Sequence, residues 1–265
     1  MLMRSRGIKH EYRVLDGGHE FIFWRAQLAN GLNFLDDAFN GRKYRGDNIT
    51  ACEAGTVAKT AVTEYSRDGV SFGISLPEGY NTSDRKYPVL FFMGDFNSTE
   101  KKEIASMVGS MTAKDIMPPV ITVFTGSRDS KPWQLIPLLE ESYRARPGYR
   151  FRAMVAYGSC GTEALNTALD SLRFTCVSLF NITPDVSNIE KATADKNSDV
   201  LRRTWFYLDA PAYGDSYREN GEAHIILRES DIYHEYRVTQ GDGSFRWLME
   251  NLPESMVFTQ KKLHR

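Results

Sequence analysis

The chain has 265 residues, of which 42% are hydrophobic and 25% are charged, a composition typical of a globular protein with one large or two small domains. Its net charge of -1 gives no electrostatic reason to expect a nucleic acid or an acidic membrane as a partner. Three cysteines without a CxxC spacing and five scattered histidines predict neither a disulfide framework nor a metal site, and we expect no cofactor.

The amino-terminal residues lack the apolar core of a signal peptide, and no apolar run approaches the length of a membrane span. We therefore expect a cytoplasmic protein, unless its true start lies upstream of Met1. That condition matters because the sequence runs from Met1 straight into what resembles a late segment of a domain.

The first predicted elements belong to an internal repeat. Residues 8–14 read IKHEYRV and residues 232–238 read IYHEYRV. In the first copy, a strand over 10–14 and a helix over about 20–39 are predicted, because apolar residues recur there at spacings of three and four. The copies differ in the turn that follows the strand: the first has His19 where the second has Gly243.

A polar, glycine-bearing stretch over 40–60 predicts a linker, and we divide the chain into a strand–helix unit (1–45), a linker (46–60) and a main domain (61–265). In the main domain, strand and helix patterns alternate, which predicts an α/β fold with a mostly parallel central sheet, helices on both faces and a site at the carboxyl ends of the strands. The predicted strands are 70–76, 87–93, 120–124, 151–157, 174–180, 204–208 and 234–238, and the predicted helices are 101–112, 133–144, 163–172 and 219–229.

The turn after the predicted strand 151–157 reads YGSCGT and leads into a helix. Such a turn is the setting of the G-x-S-x-G nucleophile elbow of serine hydrolases. The match is incomplete, because Tyr157 stands where the first glycine would be if Ser159 were the nucleophile. The alternative is a tight turn of small residues that packs the helix against the sheet.

The order of several segments resembles an esterase family of α/β-hydrolases that includes esterase D-like, feruloyl- and acetyl-xylan-esterase-like enzymes. These segments are LPEGY, KYPVLFFMG, PPVITV, LIPLLEESYRARP, RAMVAYGSCGTEAL and HEYRV. The resemblance covers about 61–262 and implies an α/β-hydrolase fold. Residues 8–39 resemble the last strand and helix of a second, upstream member of the same family.

The resemblance also implies positions for a Ser-His-acid triad. The nucleophile falls on Gly158, and Ser159 takes the next place, whose backbone N–H normally serves the oxyanion hole. The base falls on Gly243 in the main domain and on His19 in the amino-terminal copy. Neither glycine supplies the hydroxyl or the imidazole that triad catalysis needs.

The remaining positions of the implied site are an acid and an oxyanion loop. The acid falls near Gly214 with Asp215 beside it, and Asp209 is an alternative. Gly94 and Asp95 stand where the oxyanion loop of the family usually begins His-Gly, so these two residues and Ser159 are expected to line the ligand cleft.

We therefore expect an esterase-type domain that has lost its triad and acts as a structural or ligand-binding partner beside an active esterase. The expected ligand is a small ester or carbohydrate ester, and the expected partner is a second copy or a neighbouring esterase domain. The alternative is an active carboxylic-ester hydrolase that uses Ser159 with His19, either folded back or reaching across a dimer. An unrelated binding module is a third possibility.

Other polar and aromatic groups are weaker candidates. Asp36 and Asp37 could form an acid or metal site, although a solvated helix end explains them more simply. Residues 195–199 resemble scattered calcium ligands but lack the glycine and glutamate of an EF-hand loop, which favours a polar loop. Four aromatic residues could line a carbohydrate cleft or simply pack in the core or at its rim: Trp205, Tyr207, Tyr213 and Tyr217.

Overall fold

The computed structural model describes residues 2–8, 10–15, 18–41, 60–194, 199–214 and 216–263. Their centre is a nine-stranded sheet in the order β1-β9-β8-β7-β6-β4-β5-β3-β2. The strands are β1 (Tyr12–Val14), β2 (Thr63–Arg67), β3 (Val70–Ser75), β4 (Val89–Met93), β5 (Ile121–Thr125), β6 (Arg152–Tyr157), β7 (Cys176–Phe180), β8 (Trp205–Pro211) and β9 (His234–Thr239).

The α-helices alternate with the strands in the main domain, as the sequence pattern predicted. They are α1 (Leu2–Ser5), α2 (Phe21–Phe39), α3 (Ser98–Ala113), α4 (Pro132–Ser142), α5 (Gly161–Asp170), α6 (Val186–Ala194), α7 (Asp199–Arg203), α8 (Tyr217–Glu229) and α9 (Phe245–Gln260). Strand β2 and helices α6, α7 and α9 were not among the predicted elements. The internal repeat could have predicted α9, because it aligns Phe245 and Leu252 with residues of the predicted helix over 20–39, which the structure shows as α2.

The interior strands β4 to β9 run parallel, and the sheet is covered by helices on both faces. Strands β4, β5 and β7 are buried at every position, which explains their continuous apolar sequences. Helices α3 and α9 cover one face, with Ile104 and Leu252 in that core layer. Helices α4, α5, α6 and α8 cover the other face, so the predicted α/β-hydrolase architecture is confirmed.

The amino-terminal copy of the repeat joins this sheet through the other copy. Strand β1 pairs antiparallel with β9, and Arg13 is registered opposite Arg237. Helix α2 follows β1, as predicted, but most of its large apolar side chains are exposed. The predicted linker lies almost wholly outside the described residues, as do Asp215 and residues 195–198, so the proposed domain boundary stays a prediction. Within the described part of the chain, no helix has the length and apolarity needed to cross a bilayer.

Candidate active site

The site is built on the turn between β6 and α5. Strand β6 ends at Tyr157, a 3-10 turn spans Gly158–Cys160, and α5 begins at Gly161. Gly158 has a φ of 61°, in the left-handed region that side chains other than glycine rarely adopt. A Cβ added to Gly158 would meet no atom within 4 Å, so the apex of this turn faces open space.

The left-handed backbone puts the sharpest point of this strand-to-helix turn at Gly158, and the exposed Ser159 follows it. The nucleophile of an α/β-hydrolase stands at such an apex, with its side chain exposed above the sheet. Gly161 then lets the helix pack closely, because a Cβ there would lie 1.9 Å from the Ile182 side chain. The turn therefore has the backbone of a nucleophile elbow, without a side chain at its apex.

Gly243 lies in the turn between β9 and α9, at the same carboxyl edge of the sheet. The Tyr157 hydroxyl donates a hydrogen bond to the Gly243 carbonyl oxygen (2.7 Å), and the Asn181 side-chain amide donates a second one (3.0 Å). Because Tyr157 directly precedes Gly158, the first bond holds the turns after β6 and β9 next to each other, and the second joins the turn after β7 to the same carbonyl.

Asn181 also fills the space that a side chain at position 243 would need. A Cβ added to Gly243 would lie 2.4 Å from the Asn181 amide nitrogen and 2.6 Å from its Cγ. Gly243 has a φ of 77°, which adds backbone strain for any other residue. A side chain at this position would therefore have to displace Asn181 and adopt a left-handed backbone conformation.

Aromatic side chains cover the Tyr157 side of this turn. The Phe96 ring stacks on Tyr157 with centroids 5.8 Å apart, and the Phe245 ring meets Phe96 edge-on at 6.2 Å. Burial in this cluster raises the pKa of the Tyr157 phenol, so the hydroxyl stays protonated and remains a hydrogen-bond donor at neutral pH.

Asp209 lies on β8 and its side chain is directed into the protein core. It is fully buried, and its Oδ1 accepts a hydrogen bond from the Thr239 hydroxyl (2.9 Å), which in turn accepts one from the Trp247 indole (3.0 Å). Its Oδ2 is buried without a hydrogen-bond partner. Burial raises the pKa of this carboxyl to about 6, while nearby Arg237 opposes the shift. Asp209 thus contacts Thr239 of β9, which links it to Trp247 of α9, and Asp215 lies outside the described residues.

His19 lies far from this edge. Because β1 runs antiparallel to β9, the turn after β1 is at the amino-terminal edge of the parallel strands, opposite Ser159. The His19 side chain is exposed and lies over Trp24, with ring centroids 6.3 Å apart. Ser159 and His19 therefore do not share a site within one chain.

The expected oxyanion loop forms a polar rim beside the elbow. The Asp95 carboxylate accepts a hydrogen bond from the Ser127 backbone N–H (2.6 Å), and this bond is the main reason that its pKa is lowered. Lys131 pairs with Glu163 of α5 across 2.7 Å. Gly94 lies beneath the Phe96 ring, where a Cβ would come within 2.7 Å of the ring.

The four aromatic cleft candidates do not gather around the elbow. Trp205 begins β8 at the other edge of the sheet, where it stacks on Tyr233, and Tyr207 is buried in the core beside Arg237. Tyr213 is exposed and lines a shallow depression of about 360 Å³ next to the Gly243 turn, whereas Tyr217 begins α8.

Asp36 and Asp37, the weaker acidic candidates that lie within the described residues, show no ligand arrangement. Asp36 lies at the end of α2, where its backbone and side-chain oxygens accept hydrogen bonds from the Asn40 amide. Across the ranges that the structure describes, no three His, Cys, Asp or Glu side chains are grouped to hold a metal ion.

The residue that sequence reasoning missed is Asn181. It directly follows the apolar strand β7, at the edge of the sheet where α/β sites lie, and it adopts a left-handed conformation with a φ of 50°. Its position after a buried strand was visible in the sequence. Its contact with Gly243 was not, since the two residues are far apart along the chain.

Comparison with known proteins identifies the fold. No protein-family profile and no curated protein sequence matches the chain. A solved ferulic acid esterase matches with a TM-score of 0.66 and 16% identity, covering 77% of this chain and 98% of that protein. The enterobactin esterase of Shigella flexneri, solved in the presence of enterobactin, matches with a TM-score of 0.62 and 16% identity, covering 79% of this chain and 61% of that one.

A third solved structure extends the comparison to another type of hydrolase. The S-formylglutathione hydrolase of Staphylococcus aureus matches with a TM-score of 0.59 and 8% identity, covering 76% of this chain and 98% of that protein. At these identities the likeness concerns the course of the backbone. The chain therefore has the α/β-hydrolase fold of these esterases.

Proposed function

We propose that this protein is an esterase-type α/β-hydrolase domain without its own catalytic triad, and that it acts as a structural partner beside an active esterase. The observation that carries the proposal is the closed contact at Gly243. Its carbonyl oxygen is bound by Tyr157 and Asn181, and Asn181 occupies the place of a side chain at the base position.

The nucleophile position supports the same proposal. Gly158 has the strained conformation of an elbow apex but carries no hydroxyl. Losing the serine or the histidine of such a triad lowers turnover by about six orders of magnitude. Ser159, one residue further along the 3-10 turn, is exposed, but the described residues place no histidine at this edge beside it.

A ligand-binding role is the second candidate, and the depression of about 360 Å³ beside the Gly243 turn supports it. One of the solved neighbours is a feruloyl esterase module complexed with sinapinate, so a small aromatic ester is the ligand class to test. A thermal shift with millimolar methyl sinapinate would favour this role, whereas an unchanged melting temperature favours the structural one.

The first prediction is that the purified protein does not hydrolyse p-nitrophenyl acetate above the buffer rate. The reason is the absence of a hydroxyl at Gly158 and of an imidazole at Gly243. Initial rates should be measured for the protein and for Ser159→Ala, and the two should be equal. A rate that disappears in Ser159→Ala would contradict the proposal and support the alternative, an active hydrolase with Ser159 as nucleophile.

A further inference from the structure

The contact between β1 and β9 has nearly two-fold symmetry, because two copies of the same sequence meet in it. Tyr12 pairs with Val238, Arg13 with Arg237, and Val14 with Tyr236. The repeat makes Tyr12 equivalent to Tyr236 and Val14 equivalent to Val238. The pair Tyr12–Val238 is therefore repeated as the pair Tyr236–Val14 with the two copies exchanged, which is the pattern of an isologous interface.

The ion pairs across this contact are also reciprocal. Arg13 lies 3.6 Å from Glu235, and Arg237 lies 3.9 Å from Glu11. The repeat relates Arg13 to Arg237 and Glu11 to Glu235, so the two pairs exchange under the same symmetry. The charges thus complement each other as they would between the edge strands of two similar sheets.

Beyond the strand, the two copies have different surroundings. Helix α9 follows β9 and buries Leu248, Leu252 and Met256 against the sheet that contains β7 and β8. The equivalent residues of α2 are Trp24, Leu28 and Leu32, which are 59%, 61% and 56% exposed. Strand β1 is an edge of the described sheet, so α2 has no β7 or β8 counterpart to cover.

These apolar residues lie on the side of α2 that faces away from the protein. Phe23 and Gln27, on the opposite side of the helix, are partly buried. The exposed stripe comprises Phe21, Trp24, Leu28, Leu32, Leu35 and Phe39. A continuous apolar stripe of this length on one helix is typical of an interaction surface.

We propose that β1 and α2 complete the sheet of a second esterase-type domain, which has a strand equivalent to β8 but lacks the last strand, equivalent to β9. The β8 equivalent would pair parallel with the outer edge of β1. The α2 stripe would then cover one face of the second sheet as α9 covers the first. This second domain is the active esterase that the structural role requires, so the inference rests on the proposed function. A second copy of this chain fits less well, because its β8 is already paired with β9.

The same arrangement gives His19 a catalytic place in the partner's site. His19 follows β1 as Gly243 follows β9, so it lies at the carboxyl edge of the completed second sheet. There it takes the proton of the partner's serine as the serine oxygen bonds to the ester carbonyl carbon, and it returns that proton to the departing alcohol. Water then attacks the acyl group by the same route and releases the acid.

The test uses the full chain, tagged, as bait in an extract of its native host, with the captured protein identified by mass spectrometry. We expect a protein whose sequence aligns with residues 61–230 of this chain and stops before an HEYRV-like strand. Leu28→Asp/Leu32→Asp should abolish capture. The control Ala29→Asp adds a charge about 60° around the helix from Leu32, outside the stripe, and should retain capture.

Activity of the purified complex tests the role of His19. His19→Ala should leave the complex intact by light scattering and lower p-nitrophenyl acetate turnover by at least about a thousandfold. Loss of this turnover in Ser159→Ala would place the nucleophile in this chain and refute the proposed function while the docking stands. Capture of a protein of another fold, a symmetric homodimer that requires Leu28, or no complex at all would overturn the inference.

Discussion

At the residue scale, the two glycines at the candidate site are held by different constraints. Gly158 is required only by its backbone conformation, since a Cβ would reach open space. Gly243 is required by its conformation and by packing, since a Cβ would overlap Asn181. Position 158 therefore has room for a side chain, whereas Asn181 fills the space beside position 243.

This difference predicts unequal effects of alanine substitution. Gly158→Ala should lower the free energy of unfolding by about 1 to 2 kcal/mol, the cost of a side chain in the left-handed region. Gly243→Ala should lower it further, by about 3 kcal/mol or more, because a steric overlap is added. Urea denaturation measures both values. Gly243→Ala combined with Asn181→Gly should recover part of the loss, and equal effects of the two single substitutions would argue against the packing at Asn181.

The buried carboxyl of Asp209 predicts a specific pH dependence. Its pKa in the folded protein is about 6, above its ordinary value of 3.8, so the folded state holds this proton more tightly than the unfolded state. The contribution of Asp209 to the free energy of unfolding should therefore fall as the pH rises from about 4 to about 6. Asp209→Asn removes this pH dependence. The free energy of unfolding of the variant, relative to that of the parent protein, should therefore rise by about 2 to 3 kcal/mol between pH 4 and pH 6.

The measurement is the difference in urea stability between Asp209→Asn and the parent at several pH values. The difference is needed because burial also lowers the pKa of His224 to about 4. The contribution of His224 to the free energy of unfolding therefore rises with pH over the range in which that of Asp209 falls. A difference that does not change between pH 4 and pH 7 would show that Asp209 is ionised throughout.

At the element scale, the β1–β9 contact depends on one carboxylate from α9. Glu254 binds both Arg13 and Arg237, the second at 2.5 Å, and the Arg237 side chain is almost completely buried. A buried cation that loses its partner is far more costly than a surface ion pair that is broken.

Glu254→Ala should accordingly lower the free energy of unfolding by about 3 to 5 kcal/mol, because the Arg237 charge stays buried with less compensation. Glu250→Ala is the matched control on the same helix. Its i,i+4 pair with the exposed Arg246 should contribute no more than about 0.5 kcal/mol. Thermal and urea unfolding of the two variants provide the comparison, and similar losses in both would show that the buried network contributes little.

At the scale of the whole molecule, the amino-terminal unit protects one edge of the sheet. All six residues of β9 are buried, including the charged Glu235 and Arg237, and β1 covers their outer side. Without β1, β9 would be an exposed edge strand, which is a surface prone to pairing with other chains.

Deletion of residues 1–41 should therefore lower the melting temperature and cause self-association, measured by calorimetry and light scattering. Leu28→Asp/Leu32→Asp keeps β1 and should retain the stability of the parent protein. A deletion variant that stays monomeric, soluble and equally stable would show that the unit is not needed for the integrity of the sheet.

The sequence by itself determined the elements that have a local pattern. The apolar run of β4, the alternation of strands and helices, and the repeat that links β1 to β9 all follow from side-chain periodicity, which the backbone geometry imposes within a few residues. The small residues around Gly158 also predicted a strand-to-helix turn. For these features, neighbouring residues carry the whole signal.

Only the tertiary structure decided how distant segments meet. The contact of Asn181 with Gly243, the orientation of Asp209 toward Thr239, and the antiparallel pairing that places His19 at the far edge all join residues from separate elements. Such contacts depend on which faces pack together and in which direction the strands run. The local periodicity of a single sequence does not contain that information, because the same pattern fits either direction and more than one neighbour.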